Sequence, residues 1–115
     1  MIKLRKLFKK GNREFQQLFR DDKMAIYKVV FTGDGGSCEF TEVFRIKVYP
    51  PNKFHPESFE KYPNDESFGS WAWCCSSLPS LKKILKQKFD IEIANIPADF
   101  SFLPSRLGAE GDDGL

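Results

Sequence analysis

Residues 24–49 read MAIYKVVFTGDGGSCEFTEVFRIKVY, and this stretch decides the expected fold. It divides into two runs, 25–32 and 38–49, that are rich in the β-branched and aromatic residues favoured in strands. The linker Gly33–Ser37 contains three glycines and one aspartate, which reach positive φ angles at little cost. We therefore predict a central β-hairpin with a loop of about five residues.

The second run of this hairpin alternates as a strand with one solvent-exposed face does. Cys38, Phe40 and Phe44 fall on its apolar side, and charged or hydroxyl residues occupy most of the other side. Glu42 breaks the pattern because it falls on the apolar side, while Val43 falls on the polar side. We therefore expect a β-bulge near these two residues.

Residues 2–20 have the spacing of an amphipathic helix. Their apolar residues recur at helical intervals, with Gly11 in one slot of the stripe and Lys and Arg opposite. We therefore predict a basic amphipathic helix over 2–20, within an N-terminal segment 1–23. If translation starts instead at Met24, this segment is an appendage to the fold. The helix either packs on the sheet or binds a partner or a second copy. Its interaction face is Leu4, Leu7, Phe8, Phe15, Leu18 and Phe19.

Residues 50–70 are rich in proline and aromatic residues, and the prolines disfavour regular secondary structure. A long irregular loop in a small domain is often functional. Its aromatic side chains either pin the loop to the core or form an exposed recognition surface. The second alternative, extended to the tryptophans that follow, gives the predicted partner-binding residues Phe54, Phe59, Tyr62, Phe68, Trp71 and Trp73.

The rest of the chain adds further expected elements. Residues 70–75 predict a third strand, on which Trp71 and Trp73 would share a face. Residues 78–89 predict a helix capped by Ser76 or Ser77. The alternation in 91–93 favours a short fourth strand.

The expected fold class is therefore α+β, with a mainly antiparallel sheet of three or four strands and one packed helix. The chain would divide into the segment 1–23, a single α+β domain over 24–107 and a disordered acidic tail over 108–115. A length of 115 residues suits one domain with a modest core.

Nothing in the sequence predicts a catalytic set, a metal site or a cofactor. His55 is the only histidine, and a Cys/His hydrolase would need it beside Cys74 or Cys75 with a carboxylate such as Asp65. No local pattern supports that arrangement, and Gly33–Gly36 run into a strand instead of the helix that a phosphate loop requires. No small-molecule substrate is evident either.

Charge and cysteine content narrow the expected function. The net charge of +2 is too small to imply a nucleic-acid partner, although residues 1–23 are distinctly basic. Three cysteines with no disulfide pattern favour the cytoplasm, and no signal peptide or transmembrane segment is apparent.

We therefore expect a non-enzymatic cytoplasmic protein-interaction or regulatory module that binds a protein partner or forms a homo-oligomer. The alternative is a nucleic-acid-binding protein that uses basic helix faces and exposed aromatic side chains.

Overall fold

A five-stranded antiparallel sheet is the centre of the structure, a computed structural model that describes residues 1–105. Its strands, in spatial order, are Leu7–Lys10 (β1), Arg13–Arg20 (β2), Met24–Gly33 (β3), Gly36–Arg45 (β4) and Ala72–Cys75 (β7). A separate two-stranded sheet pairs Val48–Tyr49 (β5) with Phe59–Glu60 (β6). One α-helix, Leu78–Phe89 (α1), follows β7, and short 3₁₀ turns occupy Asp65–Ser67 and Ile93–Asn95.

The predicted helix over residues 2–20 is wrong, and so is the fold class that included it. β1 and β2 form an antiparallel hairpin there, joined by a two-residue loop at Gly11–Asn12. Gly11 has a φ of +63°. A two-residue hairpin loop with glycine at a positive φ in its first position is typical of the primed turns that hairpins favour. Gly-Asn between apolar runs is a hairpin signal, which the helical interpretation absorbed as one slot of the apolar stripe.

The residues of the predicted helix face therefore do not share one surface. Phe8 and Phe15 stack on one side of the sheet with their ring centroids 4.6 Å apart, and Leu4 packs on that side too. Leu18 and Phe19 pack on the opposite side.

The helical spacing arose from a β-bulge in β2. The pairing of β2 with β3 shifts register between Gln17 and Phe19, so the alternation of inward and outward residues is interrupted there. The resulting irregular spacing of apolar residues imitates a helix. Leu7 also fits the helical spacing, but it lies on the edge strand β1 and is 69% exposed.

The predicted central hairpin is confirmed with a tighter loop, but its second strand ends at Arg45 and not at Tyr49, because Val48–Tyr49 pair with β6 in the smaller sheet. β3 and β4 pair without a register shift from Met24 with Arg45 to Gly33 with Gly36, so only Asp34 and Gly35 lie between the strands. The bulge predicted near Glu42 and Val43 is therefore wrong. Glu42 lies on the loop side with Phe40 and Phe44, and Val43 lies in the core on the other face. An apolar residue on each face is expected because both faces of the hairpin are covered.

One face of the sheet packs against α1 and the chain that follows it, and we call this the helix side. Its buried core joins residues of the sheet, of α1 and of the segment 96–103. The predicted third strand is confirmed by the pairing of β7 with β4, and the predicted helix 78–89 is confirmed with Ser77 as its N-cap. The strand predicted at 91–93 is wrong because Ile91 and Ile93 pack against the helix-side core and pair with no strand within residues 1–105.

The other face of the sheet is covered by residues 46–71, and we call it the loop side. Its buried core consists of Phe15, Ala25, Tyr27, Val29, Phe44 and Ala72. The covering segment contributes β5, β6 and Tyr62, whose ring packs against Tyr27 and Phe44 of this core. Tyr62 and Phe68 of the predicted irregular loop are thus anchored to the core, whereas Phe54 is exposed.

No helix among residues 1–105 is long and apolar enough to cross a membrane. The predicted acidic tail, 108–115, lies outside the described residues.

Substituting Gly11→Ala tests the N-terminal hairpin directly. We expect the free energy of unfolding to fall by about 1 kcal/mol, because alanine is strained at the positive φ of Gly11 although no atom crowds the position. Urea unfolding followed by circular dichroism measures the change. A helix over 2–20 would give the opposite sign, since Gly→Ala inside a helix stabilises by about 1 kcal/mol.

Gly35→Ala is the matched control, because that turn glycine has neither a positive φ nor a neighbour that would meet an added Cβ. Its stability should stay near that of the parent protein. A stabilised Gly11→Ala variant would contradict the hairpin.

Candidate functional site

Two grooves open on the loop side, and Tyr62 belongs to both. The first groove has a volume of about 450 Å³, and its walls include Leu4, Arg5, Phe8, Phe54, Lys61 and Tyr62. The second groove has a volume of about 410 Å³, and its walls include Arg13, Phe15, Glu42, Lys61, Tyr62 and Phe68. Both volumes lie in the range of ligand-binding pockets. Because they share Phe8, Lys61 and Tyr62, the grooves are neighbours.

Tyr62 is held in place by four aromatic rings. Its ring lies edge-on to those of Phe8, Phe15, Tyr27 and Phe44, at centroid distances of 5.4, 5.1, 5.0 and 4.9 Å. Such edge-to-face pairs are favoured and add to the apolar contact of the rings. Burial raises the pKa of the Tyr62 hydroxyl, so this group remains a neutral donor. The ring cluster therefore fixes the wall between the two grooves.

Glu42 is a buried carboxyl group on the wall of the second groove. The residue is only 6% exposed, and the Tyr62 hydroxyl donates a hydrogen bond to Oε1 at 2.6 Å. Burial raises the pKa of Glu42, while the Tyr62 hydrogen bond and the charge of Arg13 partly offset that rise. Within residues 1–105 no hydrogen bond engages Oε2. Sequence reasoning missed this residue because it attributed the polar residue in an apolar phase to a bulge.

Basic residues surround both grooves. Lys3, Arg5 and Lys61 line the first groove, and Lys10, Arg13 and Lys61 line the second. The second groove also includes Asp65. The linings are therefore mainly cationic where they are charged, which attracts acidic ligands.

Glu60 is the one acidic residue among the described residues that line the first groove, and it is already paired. Arg20 donates to both of its carboxylate oxygens, at 2.6 and 3.0 Å, and the backbone N–H of Leu4 donates to Oε1 at 3.1 Å. The Arg20 hydrogen bond is the main cause of the lowered pKa of Glu60. This ion pair neutralises Glu60 and ties the N-terminal segment to β6.

The structure brings four of the predicted partner-binding residues to the grooves. Phe54 lies on the first groove with 76% of its surface exposed, and Phe59 is a buried part of the same lining. Tyr62 belongs to both grooves, and Phe68 lines the second.

The two tryptophans do not share a face, so that prediction is wrong. Trp71 precedes β7 and packs on the loop side, where the Lys47 Nζ atom lies 4.3 Å from its ring centroid. Trp73 lies within β7 and meets the ring of Phe89 of α1 edge-on at 5.6 Å. The alternation of the strand begins only at Ala72, which is why the two rings separate.

The cysteines and His55 lie in different parts of the fold. The centroid of the His55 ring is 4.2 Å from that of Phe59 in the first groove, whereas Cys74 and Cys75 belong to β7. Cys74 is exposed, whereas Cys75 is buried. Burial raises the pKa of the Cys75 thiol to about 11, which disfavours the reactive thiolate. Within residues 1–105 no three His, Cys, Asp or Glu side chains cluster as metal ligands.

No family model matches this chain, and neither a curated protein nor a solved structure shows significant similarity to it. Function is therefore inferred from the two grooves themselves.

Glu42→Gln should raise the free energy of unfolding at pH 7 by roughly 1 kcal/mol, since it replaces a buried carboxyl, whose charged form is costly to desolvate, by a neutral amide of the same shape. The folded-state pKa of Glu42 lies above its ordinary value of 4.5. Its contribution to stability is therefore complete below that value and is lost as pH rises through the folded-state pKa. The advantage of the variant should disappear in acid.

Chemical unfolding at pH 7 and pH 4 checks this expectation. Glu39→Gln is the control, because Glu39 lies on the same strand but is exposed, with an ion pair to Lys28 at 3.3 Å. Such surface pairs contribute little to stability. A lower free energy of unfolding for Glu42→Gln than for the parent protein at pH 7 would mean that the Glu42 carboxylate stabilises the fold, which would contradict this prediction.

Glu60→Gln should lower the free energy of unfolding at pH 7 by about 2 kcal/mol, since it removes the buried counter-charge of the partly solvated Arg20. The pKa of Glu60 is lowered in the folded state. The contribution of the pair is therefore present above the ordinary value of 4.5 and is lost as pH falls through the folded-state pKa.

The difference between the parent protein and this variant should accordingly shrink when unfolding is repeated at progressively lower pH, as the pH falls through the folded-state pKa of Glu60. Glu57→Gln serves as the comparison, because Glu57 is exposed and pairs with the N-terminal ammonium group at 2.6 Å. Equal losses in the two variants would show that the Arg20 pair has no special role.

Proposed function

We propose that this chain is a non-enzymatic protein-interaction or regulatory module whose two grooves bind an acidic, apolar segment of a partner protein. The observation that carries the proposal is Phe54, a phenylalanine 76% exposed on the wall of a groove with a cationic rim. An aromatic side chain on the wall of a largely apolar groove is a suitable anchor for a recognition surface.

Charge complementarity selects an acidic segment as the occupant. Lys3 and Arg5 line the first groove, and Lys61 belongs to both grooves. Glu60 does not oppose them because its charge is committed to Arg20. Cationic rims steer acidic partners and raise their association rates.

The apolar walls of the grooves favour large apolar side chains in the same acidic segment. Leu4, Phe8 and Phe54 offer the first groove a largely apolar lining, and Phe15 and Phe68 do so in the second. A segment that alternates acidic and large apolar residues could place its apolar side chains in the grooves and its carboxylates on the rims.

A protein partner is favoured over single-stranded nucleic acid. Bases stack on exposed ring faces, but the rings of Phe8, Phe15 and Tyr62 are packed against one another. The lysines of α1 lie on the helix side, away from the grooves, and Lys86 is paired with Asp90 and Glu92. The lysines of α1 therefore do not extend the basic linings of the grooves into a longer track for a phosphate backbone.

We also propose the cytoplasm as the site of action. Cys38, Cys74 and Cys75 are all free thiols. A reducing compartment maintains such thiols, which supports this placement.

Binding of labelled model peptides tests the proposal. Fluorescence anisotropy would compare an acidic peptide, in which Glu and Asp alternate with Leu and Phe, with a basic peptide in which Lys replaces the acids. We expect the acidic peptide to bind with a Kd in the micromolar range, as transient interfaces do, and the basic peptide not to bind. Amide chemical shifts should change around both grooves.

Variants then locate the contact. Phe54→Ala and Lys61→Glu should each weaken the acidic peptide about tenfold, a loss of about 1.4 kcal/mol. Lys83→Glu is the matched control, because Lys83 is exposed on α1. No binding of the acidic peptide, or equal losses in Lys61→Glu and Lys83→Glu, would refute the proposal. Tighter binding of an oligouridine than of either peptide would favour the nucleic-acid alternative.

A further inference from the structure

The second groove contains a carboxylate that the protein itself does not fully use. Glu42 belongs to the groove wall and is 6% exposed, yet only its Oε1 atom accepts a hydrogen bond among residues 1–105. Burying an acceptor without a partner costs free energy. Since Tyr62 occupies Oε1, Oε2 is the oxygen left for a ligand that enters the groove.

The chemistry of the carboxylate limits the groups that can bind there. In its ionised form Glu42 only accepts hydrogen bonds, so a ligand of that form must offer a donor. Guanidinium groups and the guanine edge present adjacent donors that bind best when both carboxylate oxygens are open, and Tyr62 already donates to Oε1. Oε2 is the more open oxygen, and a ligand with one donor is enough to satisfy it.

The surrounding charges exclude a cationic donor. Lys10, Arg13 and Lys61 all line this groove and would repel a lysine or arginine side chain of a partner. The charge of Arg13 acts on Glu42 itself, where it opposes the rise of the pKa. The donor must therefore be neutral, while acidic groups next to it are attracted by the same cations.

The rest of the groove wall is rich in aromatic rings. Phe15, Tyr62 and Phe68 line a space of about 410 Å³. An indole combines a large apolar body with one N–H that donates and never accepts. A phenol has the further need of a donor for its own oxygen. Tryptophan is also among the residues that most often anchor protein interfaces.

We propose that the second groove is a tryptophan pocket, in which Glu42 Oε2 accepts the indole N–H of an acidic partner segment held by Lys10, Arg13 and Lys61. This inference rests on the proposed interaction function and names its anchor residue. The Tyr62 hydroxyl acts as a positioning group because its hydrogen bond to Oε1 orients the carboxylate.

Replacing the indole N–H of the peptide ligand tests the pocket without altering the protein. Two acidic peptides of the same sequence would carry either tryptophan or 3-benzothienylalanine, in which sulfur replaces the N–H. Fluorescence anisotropy with the full chain should give about tenfold tighter binding of the tryptophan peptide, since the other leaves Oε2 unpaired.

Measuring the affinities of the same two peptides for the Glu42→Gln variant completes a double-mutant cycle. In this variant the amide oxygen accepts the hydrogen bond of the Tyr62 hydroxyl, and an NH₂ group then takes the place of Oε2. Because that NH₂ group cannot accept the indole N–H, the tenfold preference should vanish. Glu39→Gln should keep the full preference because Glu39 is exposed elsewhere on β4. Circular dichroism would confirm that both variants are folded.

The outcomes separate this inference from the proposed function. Equal binding of the two acidic peptides to the parent protein would overturn the tryptophan pocket and leave the interaction function standing. A preference that persists in Glu42→Gln would also overturn it, as would displacement of the tryptophan peptide by guanosine monophosphate at comparable affinity. Failure of both acidic peptides to bind would overturn the inference together with the proposed function.

Discussion

The central hairpin of β3 and β4 is apolar on both faces, and the rest of the fold covers those faces. Met24, Ile26 and Val43 belong to the helix-side core, where α1 buries them. Tyr27 and Phe44 belong to the loop side, where Tyr62 packs on both rings. Burial of apolar surface is the main driving force of folding, so a hairpin of this kind requires two covers. The helix supplies one, and the chain between β4 and β7 supplies the other.

The second cover creates the candidate site. The loop is held to the sheet by Tyr62 and its ring contacts, and the spaces that remain beside this tyrosine are the two grooves. The same packing encloses Glu42, whose burial opposes its ionisation. Polar groups buried at a cost to stability are commonly found where binding or catalysis needs them. The burial of Glu42 on the wall of the second groove is therefore the observation on which the proposed tryptophan pocket rests.

The local sequence pattern was sufficient where one element could be read in isolation. The strands of the hairpin, β7 and the capped helix α1 each follow from neighbouring residues. The pattern failed in β2, where a bulge removed the alternation that identifies a strand and Gly11 was counted in a helical stripe instead of a turn. It also failed at Glu42, because a polar residue in an apolar phase was explained by a bulge that the continuous register excludes. The sequence left open whether the aromatic loop covers the core or is exposed. In the structure Tyr62 and Phe68 pack on the core while Phe54 is exposed, and the grooves between them follow from no local pattern.

The sequence by itself determined the hairpin, the helix and the concentration of basic residues near the N-terminus, since these depend on backbone preferences and on the spacing of neighbours. Only the tertiary structure decided which aromatic side chains meet, which cations line the grooves and which carboxylate is buried. Glu42 and Tyr62 are 20 residues apart, and Arg20 and Glu60 are 40 apart. Contacts at such separations arise from the way the sheet and its covering loop pack together, and no local periodicity encodes them.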